Sequence, residues 1–302
     1  MLGAILLTAA LARAEPLVWT WEAPRTWAVQ TQLVLPQPLW LPAERNLQVR
    51  VSEVQLSLVT RCAPATTYKR RGWLLRCDVL DAGIRGRPYQ GDEGLSEILD
   101  EYDARLLGGW VEVDLSPDGR IRSIDLRGLD DGQRRVREGN EVLRLLVVRA
   151  LAPLDLRLPP KGALPEGGAW REDGALPLGF VSQAGTMGRL TLTHRATGEG
   201  VVEILSEGEG IIGPGDTVVV NGVERPRNLF DARFSGSAHF GQGAVLDRAY
   251  LMEAAPTASS ELADGGAGQR YLQATELTLV PEGASVAPIS ANGSIEGAAD
   301  AE

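Results

Sequence analysis

Few residues in this chain combine the types and spacing that chemistry needs, and the two cysteines, Cys62 and Cys77, come first. A catalytic dithiol keeps its cysteines two residues apart at a helix start, where the thiolate is stabilised. This pair is spaced far wider and reads as a structural disulfide. Closing a loop of that length stabilises a fold by about 3 kcal/mol on the chain-entropy account. The only histidines are His194 and His239. Both lie in strand-like sequence, with no HExxH helix, no zinc-type cysteine spacing and no Gly-x-Ser-x-Gly elbow. A carboxylate pair is the remaining catalytic option, but forty acidic residues make any chosen pair uninformative. No catalytic or metal-binding residue is therefore assigned, and none is assigned to a cofactor.

Two further motifs have an ordinary reading beside the sharp one. The run Gly208-Glu209-Gly210-Ile211-Ile212-Gly213 matches the dinucleotide fingerprint. That chemistry requires a helix next, whose N-terminal amides bind pyrophosphate. Here Pro214, Gly215 and Asp216 lead into Val218, Val219 and Val220, so the run is expected to be a glycine-rich hairpin loop. Glu97, Asp100, Glu101 and Asp103 crowd one stretch, and at helical spacing three of them would share a face suited to a hard cation such as calcium. A solvated acidic face is the commoner outcome. Trp19, Trp21, Trp27 and Trp40 stand among Pro16, Pro24, Pro36, Pro38 and Pro42, which predicts an N-terminal segment laid across a sheet, with a ligand-facing or interface role as the alternative. Asn292-Gly293-Ser294 is a formal glycosylation triplet and reads as chance.

Composition narrows the partners. The formal charge is −10, or −11 once Arg13 is removed with a leader, which disfavours nucleic acid and anionic membrane surfaces. Only Lys69 and Lys161 of the thirty basic residues are lysine, the mark of a GC-rich bacterial genome. With 44% hydrophobic and 23% charged residues the chain is of globular type. Leu2 to Leu11 form an apolar run ending at Ala12-Arg13-Ala14, a signal-peptidase pattern with cleavage expected after Ala14. No basic residue precedes that run, so the true start codon is expected a few codons upstream. The run is about half the length of a membrane-spanning helix. Export to the periplasm or cell surface follows, and an oxidising compartment suits the disulfide.

The elements that must position these residues are mostly strands. Leu47, Val49 and Val51, then Val54, Leu56 and Leu58, alternate with one slip at Ser52-Glu53, the pattern of a bulged strand. Trp73, Leu75, Cys77 and Val79 form its hairpin partner, and strand parity puts both thiols on one face. Leu95, Ile98, Leu99, Tyr102 and Leu106 have helical spacing. Residues 110–126 read as a hairpin around Ser116-Pro117-Asp118-Gly119, and residues 132–151 as a second amphipathic helix with most of its arginines outside, ended by Pro153. Strands are expected at 189–195, 200–206, 216–221, 230–240, 244–254 and 270–280.

The expected organisation is a signal peptide over 1–14, an α+β half over 15–157, a Pro/Gly-rich connection over 158–170, an all-β half over 171–281 and a disordered acidic tail over 282–302. The fold class is α+β, predominantly antiparallel, as a curved sheet or half-barrel, alternatively two packed sheets, with two amphipathic helices. In element order this architecture is similar to that of periplasmic lipoprotein carriers. That similarity implies a non-catalytic exported protein binding an apolar or lipid-like ligand in its curved sheet. An envelope interaction module without ligand and a carboxylate-dependent hydrolase are the alternatives. An outer-membrane barrel fits least, because frequent charges and two helices interrupt any series of lipid-facing strands.

Overall fold

The computed structural model describes residues 17–42, 48–68, 72–88, 94–129, 137–159, 162–175, 187–198, 200–213, 217–220, 223–226, 230–257 and 270–284. The leader over 1–14, the start of the second helix at 132–136, the tail from 285 and Asn292 lie outside the described residues.

Three long strands open the fold: β1 (Arg25–Pro42), β2 (Gln48–Tyr68) and β3 (Gly72–Pro88). The slip read in β2 is real, since its register against β3 shifts between Val51 and Glu53. Cys62 stands directly opposite Cys77 in that ladder, and the two are bonded. Helix α1 (Leu95–Leu106) follows and buries the five residues its spacing picked out. The hairpin β4 (Trp110–Leu115) and β5 (Ile121–Asp125) comes next, then helix α2 (Arg137–Leu151). The second half holds β6 (Ala169–Ala175), β7 (Met187–Thr197), β8 (Val202–Gly213), β9 (Thr217–Val220), β10 (Val223–Pro226), β11 (Phe230–Gly241), β12 (Ala244–Pro256) and β13 (Tyr271–Val280).

Eleven of these strands form one antiparallel sheet in the order β5-β4-β3-β2-β1-β13-β12-β11-β8-β7-β6, while β9 and β10 pair only with each other. Because β13 pairs with β1, both halves of the chain share this sheet. Among the described residues, two packed sheets, the alternative open from sequence, do not form.

Three local expectations need correction. Residues 25–42 are a central strand, whereas the tryptophan- and proline-rich N-terminus was expected to lie across the sheet. Proline cannot donate to a ladder, and the register of β1 against β2 jumps from Val34 to Leu39, across Pro36 and Pro38. The glycine-rich run at 208–213 is the end of strand β8, with Glu207, Glu209 and Ile211 outward and exposed and Gly208 and Gly210 inward. Its true signal was alternation by two, and the next described element is strand β9. Residues 169–175 form β6, missed because the strand lies at an edge and mixes Trp170 with Glu172 on one side.

The sheet is rolled. Eleven strands laid flat would span roughly 48 Å at about 4.8 Å per step. Yet Asp155 accepts a hydrogen bond from the N–H of Ile121 on edge strand β5, and Arg157, two residues on, is ion-paired with Glu172 on the opposite edge strand β6. Two residues of chain cover only about 7 Å. The sheet must therefore curl until its edges come within reach of one segment, although β5 and β6 do not pair and the roll stays open.

One end of the roll is filled. Residues 17–21 cross it, held by Leu17 N–H to Gly162 O (2.7 Å) and Thr20 N–H to Gly243 O (2.9 Å). There Trp19 stacks on Trp21 and meets Phe240 edge-on at 5.5 Å, and Trp21 meets Trp27. Trp27 is fully buried and donates to Val245 O at 3.1 Å. The apolar side of α2 packs on β1 and β2, and a 3-10 turn over Ala152–Leu154 packs on β12 and β13.

Candidate functional site

Antiparallel pairing fixes which residues stand side by side on the inward face. Aligned across the ladders, Trp170, His194, Ser206, Gly236, Tyr250, Thr275 and Thr31 form one transverse row through seven strands, from β6 to β1. Side chains directly opposite in an antiparallel pair are neighbours on the same face, so this row is a continuous belt. It is polar at nearly every step. His194 Nδ1 and Ser206 Oγ are hydrogen-bonded at 2.8 Å, Trp170 stacks on the imidazole at 5.0 Å, and the hydroxyls of Thr31 and Thr275 meet at 3.3 Å. Gln273 extends the belt by one row, donating to Tyr250 Oη at 2.8 Å and accepting from Tyr271 Oη at 2.7 Å.

The rows on either side are apolar apart from Arg248 in one and Gln273 in the other. Toward the tryptophan-filled end the next row reads Ala196, Ile204, Ala238, Arg248, Leu277, Val29 and Leu58. Toward the other end lie Leu190, Leu192, Ile212, Ala232, Phe234, Met252, Ala254 and Tyr271, a separate apolar cluster on β7, β8, β11, β12 and β13. Glycines shape this part of the wall. A Cβ on Gly208 would stand 2.3 Å from Leu192 Cδ2, and one on Gly236 2.8 Å from Tyr250 Cβ. Glycine at both positions lets the neighbouring large side chains lie against the sheet.

Two arginines are buried on this side. Arg149 of α2, an exception among arginines expected mostly outside, lies over the Tyr271 ring at 5.5 Å. Arg248 donates to Pro153 O at 2.8 Å and lies over the Tyr250 ring at 5.5 Å. Burial lowers the pKa of Arg248, against the opposing pull of Tyr250, Asp155 and Glu172. Burial also raises the Tyr271 hydroxyl to about 12 and pushes up that of Tyr250. Asp155 is raised to about 6, chiefly by burial and in spite of the Ile121 N–H, Arg157 and Arg248. These groups are shielded from water, where polar contacts gain strength and unpaired groups become costly.

Ser206, His194 and Glu172 have the types of a hydrolytic triad, but their geometry is structural. Glu172 Oε2 lies 3.7 Å from His194 Nε2, too far for a hydrogen bond, and Glu172 is committed to Arg157. Ser206 sits mid-strand with β7 and β11 on either side. Oxyanion holes are commonly built from unpaired backbone N–H groups, and those of these strands belong to the ladders. The belt is a set of hydrogen-bonding groups flanked by apolar side chains. What it can do is recognise.

The residues singled out from sequence sit elsewhere. Cys62 and Cys77 lie in the wall among Leu75, Val79 and Val111, away from the belt. On α1, Glu97 and Asp100 are exposed, while Asp103 accepts a hydrogen bond from Ile84 N–H and is raised to about 6 by burial. It thus covers part of β3 beyond the reach of β4. The four acids do not converge, and among the described residues no group of three metal-ligating side chains is found. His239 faces outward, bonded to Asp247 at 2.8 Å, which raises its pKa. Of the two histidines only His194 belongs to the belt. Sequence reasoning missed Arg248, Gln273 and Ser206 because each is an unremarkable polar residue until register puts it in a row.

No family model and no curated protein matches the chain. Among solved structures it is similar to lipovitellin, in a structure of lipid–protein interactions in lipovitellin, with 11% identity and a TM-score of 0.44 over 91% of this chain. The chain spans about 27% of the length of that protein.

Proposed function

We propose that the protein is a non-catalytic binder of an apolar, lipid-like ligand, housed inside the rolled sheet with its hydrocarbon on the Leu192–Phe234–Met252 cluster and its polar end at the belt. The observation that carries this reading is the belt itself. A polar row crossing seven strands between two apolar zones costs free energy in a core that serves only packing, and it matches the polarity of an amphipathic molecule. Among the described residues no helix is long and apolar enough to cross a membrane. Export to the periplasm or cell surface is part of the proposal, supported by the Leu2–Leu11 run and by a disulfide of the kind oxidising compartments preserve.

Native mass spectrometry of the protein purified from its own host, followed by solvent extraction, tests this. The expected result is a stoichiometric acyl lipid released on denaturation, with long-chain fatty acid or fatty alcohol rebinding to the stripped protein. Protein that carries no lipid and binds neither probe would overturn the reading.

A further inference from the structure

We infer that Arg248 receives the head group of that ligand, and that the head group is an oxyanion, the carboxylate or phosphate of an acidic acyl lipid. This rests on the ligand reading above and adds the chemical class of the head.

Arg248 is only 7% exposed. A guanidinium stays charged in proteins and offers five N–H donors, of which Pro153 O takes one. Among the described residues no carboxylate lies within ion-pair distance of it. The two acids whose charge it feels are engaged elsewhere, Asp155 by Ile121 N–H and Glu172 by Arg157. Burying a cation without a directly paired counter-ion is costly. A bound anion would remove that cost, and the planar fork of arginine suits a carboxylate or phosphate in a two-point contact.

The surroundings favour a head group over a free ion. Arg248 stands one row from Tyr250, whose hydroxyl is joined to Gln273, and the apolar cluster continues beyond them through Met252 and Phe234. Across the ladders its neighbours are Ala238, a small side chain beside the cation, and Leu277. A tail lying on Met252 and Phe234 would bring its head to Tyr250 and Arg248. The chain's net charge of −10 disfavours docking on an anionic membrane but does not oppose one head group held inside the fold.

The test compares, on the full chain stripped of lipid, a long-chain fatty acid, the alcohol of the same length and inorganic phosphate, by titration calorimetry. Charge-assisted hydrogen bonds predict that the acid binds about tenfold or more tighter than the alcohol. Arg248→Met is expected to abolish that preference while the alcohol still binds, and Arg248→Lys to restore part of it. If Arg248→Met does not fold, the acid-to-alcohol ratio of the unaltered protein and of Arg248→Lys still decides. Equal binding of acid and alcohol overturns the Arg248 assignment and leaves the ligand reading standing. Binding of neither overturns both, and phosphate alone binding as tightly as the acid replaces the head-group site with one for a free anion.

Discussion

The carboxylate of Asp155 accepts the backbone N–H of Ile121 at 2.8 Å, tying the first residue of edge strand β5 to the segment whose Arg157 is paired with the opposite edge strand β6. This contact holds the roll at its seam, and it titrates. Burial raises Asp155 from 3.8 to about 6, so the folded protein holds this proton more tightly than the unfolded chain does. The resulting stabilisation is complete below about pH 4 and is lost as pH rises through about 6. Asp103 behaves with the same sign. Urea unfolding at pH 5 and pH 7.5 is expected to show the protein more stable at the lower pH. Asp155→Asn and Asp103→Asn should each shrink the difference, and the double variant should shrink it by the sum of the two.

The disulfide stabilises by restricting the unfolded chain. Cys62 and Cys77 are separated by 15 residues, a loop for which the entropy account gives about 3 kcal/mol. Replacing both cysteines with alanine should lower the urea midpoint by an equivalent amount, and reduction of the unaltered protein should do nearly the same. Sensitivity below about 1 kcal/mol would mean that the β2–β3 ladder already restrains this loop in the unfolded chain.

Two glycines separate steric from conformational cost. Gly119 and Gly108 both have positive φ, at 84° and 74°. A Cβ on Gly119 would stand 2.1 Å from Trp19 Nε1 and 2.2 Å from Leu156 O, whereas one on Gly108 meets nothing within 4 Å. Gly108→Ala is expected to cost about 1 kcal/mol for the left-handed backbone alone. Gly119→Ala should cost about 2 kcal/mol more, by disturbing the packing of Trp19. Thermal melting with tryptophan fluorescence as the readout distinguishes them, because only Gly119→Ala should shift the emission of the folded state.

Ser206→Ala tests whether the His194 pair is structural. Removing the hydroxyl leaves the buried His194 Nδ1 without its 2.8 Å partner, a loss of about 1–3 kcal/mol. Hydrolysis of simple activated esters is expected to be indistinguishable between this variant and the unaltered protein. A rate that depends on Ser206 would restore the hydrolase alternative.

Local pattern was enough for much of the fold. Alternation by two located β2, β3 and most C-terminal strands, three-and-four spacing located α1 with its buried residues, and Ser116-Pro117-Asp118-Gly119 marked its turn, because each signal is complete within a few residues of chain. Where proline or glycine obscured alternation, as in β1 and at 208–213, or where an edge strand had no apolar row, as in β6, the local signal misled.

The candidate site was not legible in this way. Thr31 and Thr275 touch only because β13 pairs with β1, and the His194–Ser206 hairpin pair reaches Tyr250 only because β8 pairs with β11, with β9 and β10 between them in the chain. The sequence by itself determined a disulfide-bearing antiparallel α+β chain with two amphipathic helices, since propensity and parity are local. Only the tertiary structure decided that one sheet rolls edge toward edge, that a polar row crosses its interior, and that Arg248 is buried beside it. Register and curvature arise from contacts between distant segments, and no window of sequence contains them.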